Sequence, residues 1–178
     1  MKTGKQSEDK PRGDLKNNLM LFVWKHSIGL MLGFIIVFQF VLQLSFVYGK
    51  SMYPTYSTGN LVLANRLYSG IERMDIVTAE IDGKIIIKRV IGLPGETLQI
   101  IDGYIYIDCK RIDDVSEVPM SMKNVYYGVR AVTLKDNEYF LIGDNRDHST
   151  DSRDKTVGPI KSEQIIAKVF VLPQKFTP

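Results

Sequence analysis

The feature that most constrains this chain is an apolar run over residues 28–47, IGLMLGFIIVFQFVLQLSFV, which contains no charged side chain. As an α-helix it would extend about 30 Å, the thickness of the hydrocarbon core of a bilayer. A core helix would carry a polar stripe, and a cleaved secretory signal would end on small residues, whereas this run ends in SFVYGKS. The run therefore predicts an uncleaved transmembrane anchor over residues 27–48, in which Gln39 and Gln43 share one helix face.

The excess positive charge of the chain lies entirely ahead of this run. Residues 1–26 carry six bases and three acids, while the other 152 residues carry 17 of each sign. Because basic flanks stay in the cytoplasm, we expect a cytoplasmic segment over residues 1–26 and an extracytoplasmic domain over residues 49–178. The same distribution argues against a nucleic-acid-binding protein, whose bases would form one face of the folded domain.

The part of the chain after the anchor has the pattern of a β-rich domain. Short β-branched and aromatic runs alternate with turn residues, and long helical periodicity is absent. The predicted strands cover residues 60–65, 75–81, 84–92, 97–101, 104–108, 138–143 and 165–172. Asp82-Gly83 and Asp102-Gly103 each separate two such runs, which is a strong signal for a two-residue hairpin turn. The pattern predicts an antiparallel, partly closed β-domain with a polar excursion over residues 110–130.

The cysteine and histidine content limits the chemistry. Cys109 is the single cysteine, which excludes an internal disulfide framework and any multi-cysteine metal site. His26 and His148 are the two histidines, too few for a zinc centre without several carboxylates. We expect no metal and no cofactor.

Three short segments of the outer domain concentrate polar residues, and each also has a purely structural interpretation. Ser51 lies in GKSMYPT, which is otherwise an ordinary turn, and even a fully extended chain keeps it within about 14 Å of the end of the apolar run. Lys88 and Arg89 interrupt the apolar strand IIIKRVIGLPGE and point to opposite faces, although both could snorkel at a strand edge. The segment GDNRDHSTDSRD, residues 143–154, is otherwise a solvated loop with charge-paired turns.

These segments hold the parts of a serine hydrolase. A serine hydroxyl needs a base to take its proton, and His148 and Lys88 are both candidates, whereas His26 lies on the other side of the anchor. A free lysine is only about 0.1% neutral near pH 7.4. Burial in an apolar strand would lower its pKa and make it a competent base.

The segments SMYPT, KRVIGLPGE and GDNRDHSTDSR, in that order behind an N-terminal anchor, resemble the type I signal peptidases. MDIVTAE, residues 74–80, is similar to the fourth motif of that family, except that Met74 stands where glycine is usual. Three motifs in order are far more specific than any one of them. Members of this family are bacterial membrane-bound serine endopeptidases that use a Ser–Lys pair.

The resemblance assigns roles by position. It implies that Ser51 is the nucleophile, Lys88 the general base, and Ser149 the hydroxyl that hydrogen-bonds the lysine amine. It implies an oxyanion-stabilising and substrate-binding segment at Gly49, Ser51 and Met52, where Gly49 replaces a serine found in some relatives. The residues that would shape the site without chemistry are Asp144, Asn145, Arg146, Asp151 and Arg153. His148 falls at a variable place of the motif and would be a bystander.

The resemblance also implies the fold and the biological context. The fold would be mostly β, a two-lobed antiparallel β-domain behind one transmembrane helix. The substrates would be secreted preproteins, cut after an Ala-x-Ala-like site at the end of the signal peptide. The protein would be a monomer in the bacterial cell membrane, crossing the lipid bilayer once with its N-terminus in the cytoplasm.

Three other functions are compatible with parts of the sequence. One is a catalytically inactive scaffold on the same fold, against which the presence of Ser51, Lys88 and Ser149 argues. Another is a self-cleaving repressor, which would need a DNA-binding domain in place of the anchor. The third is a membrane-tethered domain that binds peptides without cutting them.

Overall fold

The computed structural model describes residues 12–113, 115, 119–123 and 125–170. In this part of the chain one helix precedes eleven strands. The helix α1 covers Arg12–Ile36 and continues as a π-helical turn over Val37–Val41. The strands are β1 Leu42–Phe46, β2 Leu61–Asn65, β3 Ile76–Ile81, β4 Lys84–Gly92, β5 Thr97–Ile101, β6 Tyr104–Ile107, β7 Lys110–Arg111, β8 Val132–Thr133, β9 Glu138–Ile142, β10 Ile160–Lys161 and β11 Ile165–Phe170.

The N-terminal unit contains the helix that is long and apolar enough to cross a membrane. The candidate span is Lys16–Val41, 26 residues with a mean hydropathy of 1.9 and no part buried in protein. The helix therefore begins well before the uncharged run, because residues 19–24, LMLFVW, are apolar and the polar residues before them are compatible with a helix. Part of the expected cytoplasmic segment 1–26 is thus helical, and residues 1–11 of it lie outside the described residues.

The end of the apolar run folds differently from the prediction. Residues 42–46 form the edge strand β1, paired antiparallel to β2, rather than the last turns of the anchor expected over residues 27–48. The sequence LQLSF alternates, so Gln43 faces inward and is 7% exposed, while Leu44 and Phe46 face outward. Inside the sheet, Thr78 Oγ1 donates to Gln43 Oε1 at 3.5 Å. The shared helix face predicted for Gln39 and Gln43 is wrong, because Gln43 belongs to the β-domain.

Two antiparallel sheets form the β-domain, which confirms the predicted fold class. The larger sheet has the order β1-β2-β11-β3-β4-β9-β10, and the smaller one has the order β7-β6-β5-β8. Both Asp-Gly turns are hairpins in which both residues have positive φ, at 49° and 73° for the first and 49° and 81° for the second. The seven predicted strands are present, with residues 171–172 of the last outside the described residues. The two-residue strands β7, β8 and β10 were not predicted.

The buried residues form three clusters that hold β4 in the middle of the domain. One cluster joins the smaller sheet to β4 and β9 and includes Leu98, Phe140 and Ile91. The other two pack on the larger sheet, one around Met52 and Tyr56 and one around Val90 and Leu141. Strand β4 contributes residues to all three clusters, although its first two residues are exposed. Packing on both faces therefore fixes the C-terminal half of the strand.

The expected polar excursion over residues 110–130 is partly built into the core. Met120 is 6% exposed, and the carbonyl of Gly128 accepts a hydrogen bond from the Ile100 amide at 2.7 Å. Gly103 approaches the Met120 backbone so closely that a Cβ there would lie 2.5 Å from its carbonyl oxygen. Residues 114, 116–118 and 124 lie outside the described part. Cys109 is exposed in the turn between β6 and β7.

Met74 occupies a conformation that ordinarily favours glycine, with φ at +73°. Its amide donates to the Val90 carbonyl at 2.8 Å and its carbonyl accepts from Arg89, so the backbone is fixed by its neighbours. This explains why glycine is usual at this place in the resembling family: the left-handed conformation is strained for any side chain.

We expect Met74→Gly to be more stable than Met74→Ala by about 1 kcal/mol in free energy of unfolding. Both variants lose the methionine side chain, and only glycine relieves the left-handed strain. Chemical denaturation of the two variants side by side measures the difference. An alanine variant as stable as the glycine variant would contradict the strain.

Candidate active site

The turn that carries Ser51 is fixed at its base by the core. Met52 and Tyr56 are each 1% exposed, and the Tyr56 amide donates to the Met52 carbonyl at 2.8 Å. Gly49 has φ +93°, and a Cβ at this position would meet no atom within 4 Å. Glycine is therefore explained here by backbone conformation rather than by crowding. Ser51 lies between Gly49 and the buried Met52 and is partly exposed.

Lys88 brings a buried amine to this turn. It lies near the middle of β4, is 4% exposed, and its Nζ lies 2.8 Å from Ser51 Oγ and 3.0 Å from the carbonyl oxygen of Ile87. Desolvation lowers the pKa of Lys88 from 10.5 to about 8, against the attraction of Asp151 and Asp144, which raise it, and with a smaller lowering by Arg153. The structure thus brings together the serine and one of its two predicted bases.

Arg89, the next residue on β4, binds a carboxylate instead. Its Nε donates to Asp144 Oδ1 at 2.7 Å and its Nη2 to Asp144 Oδ2 at 2.6 Å, a bidentate pair that is almost fully buried. Thr55 Oγ1 donates to the same carboxylate at 2.5 Å. One buried ion pair therefore connects β4, which carries Lys88, with the turn that carries Ser51 and with the third polar segment, residues 143–154.

Asn145, in the segment over residues 143–154, holds the turn that carries Ser51. Its backbone N–H donates to the Ser51 carbonyl at 2.9 Å, and its side-chain Nδ2 donates to the Lys50 carbonyl at 3.0 Å. Both contacts are to backbone oxygens, so they fix the path of the chain at Ser51 without involving its hydroxyl.

Asp151 and Arg153 form the second buried pair of the third motif. Arg153 donates from Nε and Nη2 to the two Asp151 oxygens at 2.8 Å each, and the Gly143 amide donates to Asp151 Oδ2 at 3.0 Å. The Asp151 carboxylate also attracts the protonated form of Lys88. These contacts connect the two ends of the loop over residues 143–153 and place the Asp151 charge near Lys88.

Ser149 is where the structure departs from the expected contact. Its Oγ is buried and makes no hydrogen bond, so the predicted bond to the Lys88 amine is not formed here. An unsatisfied buried hydroxyl costs roughly 1–3 kcal/mol. The hydroxyl packs over Gly143, because a Cβ on that glycine would lie 2.2 Å from Ser149 Oγ and 2.4 Å from the Ser51 carbonyl oxygen.

Gly143 is a site residue that the sequence analysis did not single out. The two atoms that crowd its missing Cβ belong to the proposed nucleophile and to the proposed positioning serine. The signal available in the sequence was a glycine at the end of a buried strand, where a close backbone approach is common.

The Ser51 and Lys88 side chains lie in a cleft of about 570 Å³. One wall is residues 45–52 and the other is residues 85–88 of β4, with His148 and Thr150 also lining it. Within the described residues, this half of β4 is paired only with β3, since β9 joins its other edge at Arg89. The cleft therefore contains an open strand edge that ends at Lys88.

The remaining predicted residues lie around this cleft rather than in it. Arg146 is buried and lines a neighbouring pocket. Met52 is a core residue that also lines the cleft wall. His148 lines the cleft, and within the described residues its side chain forms no hydrogen bond with Ser51 or Lys88. The described residues contain no group of three or more His, Cys, Asp or Glu side chains suited to a metal ion.

The described structure thus combines an apolar helix long enough to cross a membrane with a β-domain in which a buried lysine contacts a serine in an open cleft, an arrangement suited to a serine hydrolase. The family model for signal peptidase, peptidase S26, matches residues 21–172. The chain therefore belongs to the signal peptidase family, peptidase S26. It is a peptidase of this family, whose substrates are preproteins with signal peptides.

Two relatives that are similar in sequence agree with this assignment. Signal peptidase I V of Bacillus subtilis (strain 168) is 37% identical over 139 residues, covering 69% of this chain and 80% of the relative. Signal peptidase I of Bacillus caldolyticus is 35% identical over 144 residues, covering 73% of this chain and 78% of the relative. A solved structure, signal peptidase I of Enterococcus faecalis V583, is 26% identical with a TM-score of 0.48, covering 57% of this chain and 98% of that one.

We expect Gly143→Ala to lower kcat/KM on a preprotein substrate by about 100-fold, because its methyl group must displace the Ser51 carbonyl or Ser149 by about 1 Å. Cleavage kinetics and thermal unfolding of the same preparation measure the effect. A variant that folds and cleaves at the normal rate would show that the close approach at Gly143 has no part in catalysis.

Proposed function

We propose that this protein removes signal peptides from secreted preproteins with Ser51 as nucleophile and Lys88 as general base. The observation that carries the proposal is the 2.8 Å contact between Lys88 Nζ and Ser51 Oγ at a buried amine. A pKa of about 8 leaves about a tenth of the amine neutral at pH 7, compared with well under a hundredth for a free lysine. A neutral amine accepts the hydroxyl proton directly, so no other base is required.

The reaction has two stages. Ser51 Oγ attacks the carbonyl carbon of the scissile peptide while its proton moves to Lys88 Nζ. The tetrahedral intermediate then expels the amine of the mature protein, which takes that proton as the C–N bond breaks, and the signal peptide remains as an ester on Ser51. A water molecule loses a proton to Lys88 and attacks the ester, and the lysine returns the proton to Ser51 Oγ.

The oxyanion of each intermediate needs hydrogen-bond donors. We assign the backbone N–H of Ser51 to this task. Gly49 has no hydroxyl to add, so the second donor is a backbone N–H of the same segment or a bound water. Met52, which follows Ser51 and is held in the core, keeps this backbone in a fixed orientation.

The substrate binds as an added strand. The open edge of β4 over residues 85–88 and the segment 45–49 face the same cleft, so an extended peptide would pair with main-chain groups there. Alternate side chains of such a peptide point to one wall, which accounts for small residues at the first and third positions before the cut. The wall is apolar, with Ile86 and Val47 among its residues.

The residues of the third motif position the pair. Asp144 and Arg89 lock the nucleophile turn to β4, Asn145 holds the Ser51 carbonyl, and Asp151 with Arg153 supports the loop that carries Ser149. We propose that the free Ser149 hydroxyl turns to the Lys88 amine when substrate fills the cleft. Arg146 supports the same loop.

We propose a single-pass topology in the bacterial cell membrane, with the basic N-terminal segment in the cytoplasm and the β-domain outside. The helix over Lys16–Val41 is the candidate span; four of the six bases of residues 1–26 precede it, and Lys16 and Lys25 lie in its N-terminal part. Nine residues lie between the end of this span and Ser51. The working unit is a monomer.

We expect Ser51→Ala and Lys88→Met each to reduce cleavage of a preprotein by at least about 1000-fold, because each removes an essential part of the proton transfer. His148→Ala, the matched control for the other candidate base in the cleft, retains near-normal activity. Full-length protein in detergent micelles or nanodiscs is assayed by the mobility shift of the mature product. Retained activity in Lys88→Met with loss in His148→Ala would reverse the assignment, and an inactive but preprotein-binding wild type would identify a scaffold.

We expect kcat/KM to rise about tenfold per pH unit below pH 8 and to level off above about pH 9, because only the neutral amine of Lys88 is a base. Rate measurements over pH 6–10 with a peptide lacking groups that titrate in that range give the profile. A rate that fell from pH 6 to pH 9 would contradict a lysine base.

A further inference from the structure

A second pocket of about 520 Å³ adjoins the catalytic cleft within the β-domain. His148 and Thr150 line both spaces, so the pocket and the cleft share a border at these two residues. The volume is in the range of sites that hold small ligands or a few side chains. Neither the Ser51–Lys88 chemistry nor the apolar wall of the cleft uses it.

The cleft and the pocket are lined by different kinds of side chain. The open edge of β4 runs from Ile85 to Lys88 along the cleft, whose lining includes apolar side chains such as Val47 and Ile86, and from Arg89 onward β9 pairs with that edge. The pocket past His148 is instead lined mainly by polar and charged side chains. The small, apolar residues before the cut suit the apolar half, so the polar half receives the chain that follows the cut.

The charges of the pocket are mostly engaged within the protein. Arg153 is paired with Asp151, and Arg146 has interactions of its own. Of the two lining carboxylates, Asp147 accepts from the Ser121 amide at 3.0 Å, and Asp154 accepts from the amide and the hydroxyl of Thr156.

Lys123 differs in this respect from the two arginines that line the pocket. Its side chain is exposed at the pocket, and no carboxylate in the described part of the chain forms an ion pair with it. A protonated amine at the rim is available to a negatively charged group that enters.

We propose that this pocket is the subsite for the first residues of the mature protein, and that Lys123 makes it favour an acidic side chain there. The proposal rests on the proposed function, since it concerns the leaving side of the same cleft. An Asp or Glu within the first three residues after the scissile bond would approach the Lys123 amine past His148. The gain is that of a solvent-exposed ion pair, about two- to fivefold in kcat/KM.

The test uses peptides that share one Ala-x-Ala site and carry Glu, Gln or Lys at the first, second or third position after the cut. With the full-length wild type, Glu is preferred over Lys at one of these positions by about two- to fivefold, and the preference shrinks in 1 M salt. In Lys123→Glu the order reverses at that position. Lys110→Glu, an equal charge change on the exposed strand β7, leaves the order unchanged.

The possible outcomes distinguish the proposed subsite from the proposed peptidase function. Cleavage of all peptides with no dependence on the charge after the cut, or a dependence that Lys123→Glu does not alter, would overturn the subsite and leave the peptidase assignment standing. An equal shift in Lys110→Glu would assign the effect to the general field of the domain and would also overturn it. Failure to cleave any peptide in the series would instead refute the proposed function.

Discussion

The rest of the site depends on the desolvation of one amine. Burial of Lys88 between the strand β4 and the nucleophile turn lowers its pKa to about 8, at a cost of about 3 kcal/mol relative to a free lysine. The attraction of Asp151 and Asp144 works against this shift, so desolvation must exceed it. A more open cleft would hydrate the amine and raise its pKa toward that of a free lysine, so the neutral fraction at pH 7 would fall from about a tenth to well under a hundredth.

The domain meets this requirement by fixing the strand and the turn independently. The C-terminal half of β4 packs into the core, while Met52 and Tyr56 anchor the turn in a separate cluster. The ion pair of Arg89 with Asp144, together with the Thr55 hydroxyl, joins the two parts across a buried contact. Breaking that pair would leave a buried charge without a partner, which is far more costly than the pair itself is stabilising.

The two halves of β4 differ in how closely the surrounding chain packs against them. Gly143 permits Ser149 and the Ser51 carbonyl to approach one another beside the closed half of β4, whereas the other half of the strand is left unpaired. The closed half provides a dry and rigid environment for the amine, and the open half provides main-chain groups for a peptide. A sheet that continued its pairing along residues 85–88 would bury the edge and exclude the substrate.

The sequence by itself determined the apolar helix, the seven main strands, both Asp-Gly hairpins and the three motifs, because these depend on local periodicity, turn chemistry and residue order. It misplaced residues 42–46, since an apolar alternation of five residues cannot be told from the end of a helix without the partner strand β2. Only the tertiary structure decided that the side chain in contact with Ser51 Oγ is that of Lys88 and not that of His148, that the Ser149 hydroxyl makes no hydrogen bond, and that Gly143 closely approaches both serines. These outcomes depend on distances of a few ångströms between residues far apart in the chain, which arise only when the strands pair and the core excludes water.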